Sequence, residues 1–257
     1  MEPPRVVSLA PSATATIGAL GASDRLVGVT AHCSVESGRD PETVGGWTTP
    51  DLERVDELEP DVVLTSDGLQ AEIADALRDR GHDVVHHEPA TLEDVVESFA
   101  DVGDAVGRRE AGERLAERAR GRIDEITESV SNHRRESRGT RPVIYCEEWS
   151  DPPMAAGNWV PDVVEAAGGR YPFVDPGERS RETDEEAVRG HDPDHVVLHP
   201  CGYGDRVDPS VIADRGWELD AEVHVIHDDL MNQPSPGLIE GIERLAEVIH
   251  PGLHLET

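Results

Sequence analysis

"DLERVDELEPDVVLTSDGLQAEIADAL", residues 51–77, decides the fold. Asp51 stands where a helix N-cap belongs, and "LERVDEL" after it has helical spacing. "PDVVLTS" is a short apolar run bounded by Pro60 and Gly68, and "AEIADALRDRG" returns to helical spacing and stops at Gly81. A short, continuously apolar strand between two helices belongs to a parallel sheet covered on both faces. The same grammar returns in "TDEEAVRGHDPDHVVLHPCGYGDRVDPSVI", residues 183–212, with "DHVVL" as the strand. This is a repeat of architecture rather than of residues. It predicts two pseudo-symmetric lobes facing each other across a cleft.

Working outward, "RVVSLA", "RLVGVTA" and "HDVVHHE" read as further strands of the first lobe, and Ser12 is the expected N-cap of "ATATIGAL". Thr91 is expected to cap a helix with Leu92, Val95, Val96, Phe99, Val102 and Val106 on one face. Residues 108–138 differ: Ala111, Leu115, Ala119, Ile123, Ile126 and Val130 form one stripe, and nine Arg and seven acidic residues fill much of the remainder. That pattern reads as one long, ion-paired helix with a solvent-facing side rather than an anion site. Beyond it "PVIYCEEW", "PDHVVLHP" and "AEVHVIHDD" are strands, "WVPDVVEAAGG" is a helix and "SPGLIEGIERLAEVIHP" a closing helix. The expected class is α/β, with two Rossmann-like lobes of parallel sheet joined by one long α-helix. The divisions are an N-terminal lobe at 1–106, a bridging helix at 107–138 and a C-terminal lobe at 139–257.

The composition narrows the function. Net charge is −31, all 23 basic residues are Arg, and aromatic content is 4%. An acidic, Lys-free surface suits a protein from a high-salt environment and repels nucleic-acid phosphates and anionic lipid, so no nucleic acid is expected as a partner. Three cysteines, Cys33, Cys146 and Cys201, with no CxxC pair indicate no disulfide framework. Nor do they and the nearby His32 and His199 form a spaced metal motif, so no metal site is expected. "MEPPRVVSLAPS" lacks the basic and apolar regions of a leader, and the chain as written reads as cytoplasmic.

Ligands of parallel α/β sheets sit beyond the carboxyl ends of the strands. The residues expected there are Pro11, Ser12, His32, Cys33 and Trp47 in the first lobe. In the second they are Glu147, Trp149, Trp159, Tyr203, Asp228 and Asn232. Three of the four Trp fall in this set, enough to form a flat apolar wall for a large planar ligand. Trp149 and Trp159 read equally well as a plug at the base of the second lobe. Glu147 and Glu148 are adjacent on a strand, so they point to opposite faces and cannot converge on one ligand atom.

"RVVSLAPSATATIGALGASDRLVGVT", "GGWTTPDLERVDELEPDVVL", "DPPMAAGNWVPDVVEAAGG" and "NQPSPGLIEGIERLAEVIHP" resemble, in order and over nearly the whole chain, the helical-backbone substrate-binding proteins of ABC importers. The likeness is to the cobalamin (vitamin B12) branch of that iron-siderophore/B12 superfamily. The resemblance implies a non-enzymatic, monomeric carrier with no cofactor of its own. A corrinoid would be its ligand, and ABC permease and ATPase subunits its partners, at the extracellular face of the membrane. It matches Trp47 to the family's ligand-facing Trp and Glu72 to its permease-docking Glu, with Asp205 or Asp208 as the pseudo-symmetric counterpart. "HDDLMNQPSP" places Leu230 and Met231 where similar sequences carry aromatics. Two other readings remain: an iron-siderophore or haem binder of the same fold, and a cytoplasmic corrinoid-salvage protein using Glu147, His199 or Asp228 as acid or base.

Overall fold

The computed structural model describes residues 2–35, 40–137 and 139–255. The expected helix end at 138 and the outermost ends of both lobes, at 1 and 257, lie outside the described residues. The chain divides into two compact units, Met1–Pro89 with Glu93–Ala119, and Ala90–Leu92 with Arg120–Thr257.

The first unit contains β1 (Val6–Ser8), α1 (Pro11–Ala19), β2 (Leu26–Val29), β3 (Glu42–Thr43), α2 (Leu52–Glu57), β4 (Val62–Ser66), α3 (Ala71–Asp79), β5 (Val84–His87), α4 (Leu92–Ala105) and the start of α5 (Arg109–Ser137). Its sheet is parallel throughout, in the order β3-β2-β1-β4-β5. Alternation of side chains along the buried strands builds two cores. Val6, Val62 and Leu64 meet Ile17, Val102 and Val106 on one face. Val7, Leu9 and Val63 meet Val55 and Leu77 on the other. Asp51 caps α2 as expected, accepting from the Arg54 amide. Ser12 does not cap α1: the helix starts two residues earlier than expected, at Pro11, whose missing N–H and fixed φ suit the first position, and Ala10 is the cap residue.

α4 and α5 approach closely where Gly103 faces Gly112; a Cβ on Gly112 would lie 2.6 Å from the Phe99 carbonyl oxygen. The Arg-rich stripe of α5 is ion-paired, with Arg114 to Glu110 and Arg122 to both Glu125 and Glu243. Ala111 and Leu115 pack on the core of the first unit, while Arg122, Ile126 and Val130 belong to the second.

The second unit continues with β6 (Ile144–Ser150), β7 (Pro153–Ala155), α6 (Val160–Ala166), β8 (Arg181–Glu182), α7 (Glu185–Arg189), β9 (His195–Leu198), α8 (Val211–Asp214), β10 (Glu222–Val225) and α9 (Gly237–Ile249). Its sheet runs β10-β9-β6-β7-β8. β10, β9 and β6 are parallel, as expected, and β7 and β8 add an antiparallel edge to that sheet. The cause is local. Only Asp151 and Pro152 separate β6 from β7, and a parallel return needs a crossover of a dozen residues or so.

Candidate functional site

In the first unit the strand order reverses between β1 and β4, the place where open α/β sheets leave a crevice beyond the strand ends. Gln70 occupies it. Its side-chain oxygen accepts from the Ser66 amide at 2.8 Å, and its Nε2 donates to the carbonyls of Leu9 at 3.0 Å and Trp47 at 2.7 Å. One fully buried amide thus fastens three loops. Trp47 is at the tip of a tight turn closed by mutual backbone bonds between Gly46 and Thr49. Gly45 enters that turn at φ +102°, and a Cβ there would lie 2.8 Å from the Thr49 carbonyl.

Trp47 and Pro11 are half-buried and His32 is exposed, whereas Ser12 is buried. Cys33 directs its thiol inward, 3.2 Å from the Thr30 hydroxyl and 3.8 Å from the Ser8 carbonyl. Gln70 carries no motif and was not singled out from sequence. Gln70→Ala is expected to lower the unfolding free energy by about 2–3 kcal/mol, near 1 kcal/mol per lost hydrogen bond. Denaturant unfolding followed by fluorescence checks this, and a loss below about 0.5 kcal/mol, the scale of an ordinary surface change, would show that Gln70 does not fasten these loops.

In the second unit Trp149, next to last in β6, has 46% of its surface exposed, its indole N–H donating to the Asp151 carbonyl at 2.8 Å. Tyr203, in the loop after β9, is 55% exposed. Together with Pro200, Val207 and Val211 they line a pocket of about 350 Å³ that also carries Arg206 and the carboxylates of Asp151, Asp208 and Asp214, within the span of small-molecule sites. The other expected residues lie behind this face and hold it. Trp159 is only 6% exposed and donates from its indole nitrogen to the Met231 carbonyl at 2.8 Å, so it is a plug and not a ligand wall. Met231 is itself fully buried, so it adds nothing apolar to the surface.

Glu147, expected at the ligand, is fully buried. It accepts two hydrogen bonds from Arg215 at 2.7 Å each, one from the Tyr145 hydroxyl at 2.9 Å and one from the Ser150 hydroxyl at 2.8 Å. Burial raises the Tyr145 phenol above its usual range, which keeps the proton it donates. Asp228 accepts from the amides of Gly202 and Gly204, and so shapes the loop that carries Tyr203. Asn232 donates to the His199 carbonyl at 2.7 Å and the Cys201 sulfur at 3.0 Å. Glu72, Asp205 and Asp208 are all exposed.

The Asn232 donation fixes its amide orientation, so its oxygen accepts from His199 Nδ1 at 2.6 Å. Burial pushes the imidazole down to about 4, against a partial opposing pull from the Asn232 bond. A histidine whose folded pKa lies below its unfolded 6.5 stabilises the fold fully above that value. The contribution is lost as pH falls from 6.5 towards 4. The stability advantage of wild type over His199→Gln should therefore shrink by about 3 kcal/mol between pH 7 and pH 4. Denaturant curves at the two pH values test this, and a constant difference would contradict it.

The acid, base and thiol groups named from the sequence in this unit are engaged by the fold. Glu147 is neutralised by Arg215, and the Asp228 carboxylate holds backbone amides. His199 is buried and neutral at pH 7, and burial raises the Cys146 thiol well above its normal value. Acid–base or nucleophilic work needs such groups within reach of a substrate, and these are committed to the fold.

A family model for periplasmic binding proteins matches residues 6–222. A cobalamin-binding protein of Halobacterium salinarum is 28% identical over 264 residues, covering 97% of this chain and 70% of the relative. YvrC of Bacillus subtilis, an uncharacterized ABC transporter substrate-binding lipoprotein, is also 28% identical over 264 residues, with 97% and 81% covered. Among solved structures, the apo form of the periplasmic heme-binding protein RhuT from Roseiflexus sp. RS-1 matches with a TM-score of 0.80 at 20% identity, over 98% of this chain and 100% of that one.

Proposed function

We propose, since this chain belongs to the periplasmic binding protein family, that it captures cobalamin or a related corrinoid, as a monomer, for an ABC importer. The observation that carries this reading is the exposed Trp149–Tyr203 face over its pocket. In a chain so poor in aromatics, two large rings left in solvent at strand carboxyl ends suit the flat, apolar face of a macrocycle. The cobalamin-binding relative favours a corrinoid, and the substrate-binding lipoprotein favours an importer as the recipient. Exposed Glu72 and Asp205 are the carboxylates we assign to contact with a basic permease surface, whereas Asp208, the other candidate, borders the Trp149–Tyr203 pocket.

Haem is the second reading, favoured by the fold shared with a heme-binding protein. Titration in molar salt with cyanocobalamin and, separately, hemin decides between them. Saturable tryptophan quenching with cyanocobalamin, with the ligand recovered unchanged, is the expected result. Quenching by hemin alone transfers the assignment to haem, and silence with both overturns the reading.

A further inference from the structure

A three-residue constellation lies in the second unit at the start of β9 and β10, the end of the sheet opposite Trp149. His195 opens β9, and its register partner on β10 is Glu222; His224 follows two residues later. Register partners, and residues two apart on a strand, project from the same face of a sheet. The alternate residues Val196, Leu198, Val223 and Val225 pack into the core of the unit. His195, Glu222 and His224 are therefore placed together by strand pairing itself. His195 is buried, His224 is half-buried and Glu222 is exposed.

The distances between their ligand atoms are specific. His195 Nδ1 lies 3.1 Å from His224 Nε2, and Glu222 Oε2 lies 3.7 Å from each of those nitrogens. For a triangle with these sides, the point equidistant from its corners is about 2.0 Å from each, and Zn–N and Zn–O bonds are about 2.0–2.2 Å. Three protein atoms already stand at the spacing that one metal ion would impose. Two imidazoles and a carboxylate are a donor set for borderline divalent ions, unlike the all-oxygen sets preferred by magnesium and calcium.

We propose that His195, Glu222 and His224 bind a divalent transition-metal ion of the zinc class, with solvent completing the coordination through the open side at Glu222. The ion would bridge the edge strand β10 to β9 and act as a clip on the sheet. The site shares no residue with the Trp149–Tyr203 face, so it stands independently of the ligand assigned there.

The test is calorimetric titration of the metal-stripped full chain with Zn²⁺ alone, in molar KCl to suppress diffuse binding to carboxylates. A single saturable equivalent and a raised thermal midpoint are expected. Glu222→Gln and His224→Gln should each weaken binding by about tenfold or more. Glu222 is exposed, so its variant will fold, and it separates lost coordination from lost structure. Co²⁺ should give a visible absorption band of nitrogen-ligated metal that disappears in His224→Gln. Mg²⁺ in large excess should not displace the ion. Absence of a zinc equivalent, unchanged affinity in both variants, or displacement by Mg²⁺ would overturn the proposal and leave a simple hydrogen-bonded histidine pair.

Discussion

Arg215→Met will lower the unfolding free energy by about 3–5 kcal/mol, the cost of leaving one charge of a buried ion pair without its partner. Glu147 is fully enclosed and the Arg215 side chain is 15% exposed. Two 2.7 Å bonds join them, and the guanidinium sits 4.7 Å above the Trp217 ring. Removing it leaves the carboxylate with only the Tyr145 and Ser150 hydroxyls. Little solvent reaches the pair, so the loss should persist in molar salt, where exposed pairs such as Arg78–Asp75 are screened to insignificance. The double variant Glu147→Leu/Arg215→Met should recover part of the loss, because it removes the stranded charge. Denaturant unfolding of the single and double variants closes the cycle. A single-variant loss under about 1 kcal/mol, the scale of an exposed pair, would show that the pair does not behave as a buried one.

Trp149 and Trp159, on either side of Pro152 and Pro153, should respond oppositely. Trp159→Ala is expected to cost about 3–5 kcal/mol of stability, as a large buried ring leaves a cavity and a broken bond to Met231. Trp149→Ala should leave stability within about 0.5 kcal/mol, since half of the ring is already in water. It should weaken corrinoid binding by about 1–3 kcal/mol if the ring stacks on the macrocycle. Thermal melts and ligand titrations on both variants distinguish plug from wall. A stable Trp159→Ala, or a Trp149→Ala of unchanged affinity, would reverse the assignment.

Most helices and the longer strands were legible because each carries its own period, as in the apolar stripe of α5 and the buried run "DVVL" of β4. Asp51 was legible as a cap because the signal is confined to three residues. β7 and β8 were not, being two or three residues long and held by pairing rather than propensity. The site divides in the same way. Trp149 and Tyr203 could be placed at strand ends from the alternation of elements, but their exposure, and the burial of Trp159, depend on packing that no local pattern states. Glu147 looked free because Arg215 is 68 residues away. Gln70 looked like an ordinary polar residue at the start of a helix, since its three partners are backbone groups with no sequence signature. His195, Glu222 and His224 become neighbours only once the register of β9 and β10 is known.

The two-residue strands β3 and β8 have a consequence for self-association. Each forms one border of its sheet, and Glu42, Arg181 and Glu182 on them are charged. Such stubs give an incoming strand of another molecule too short a ladder to extend. The opposite borders, β5 and β10, are longer and carry histidines and Glu222 among valines. Should this protein form fibrils under stress, those two borders are where intermolecular pairing would begin.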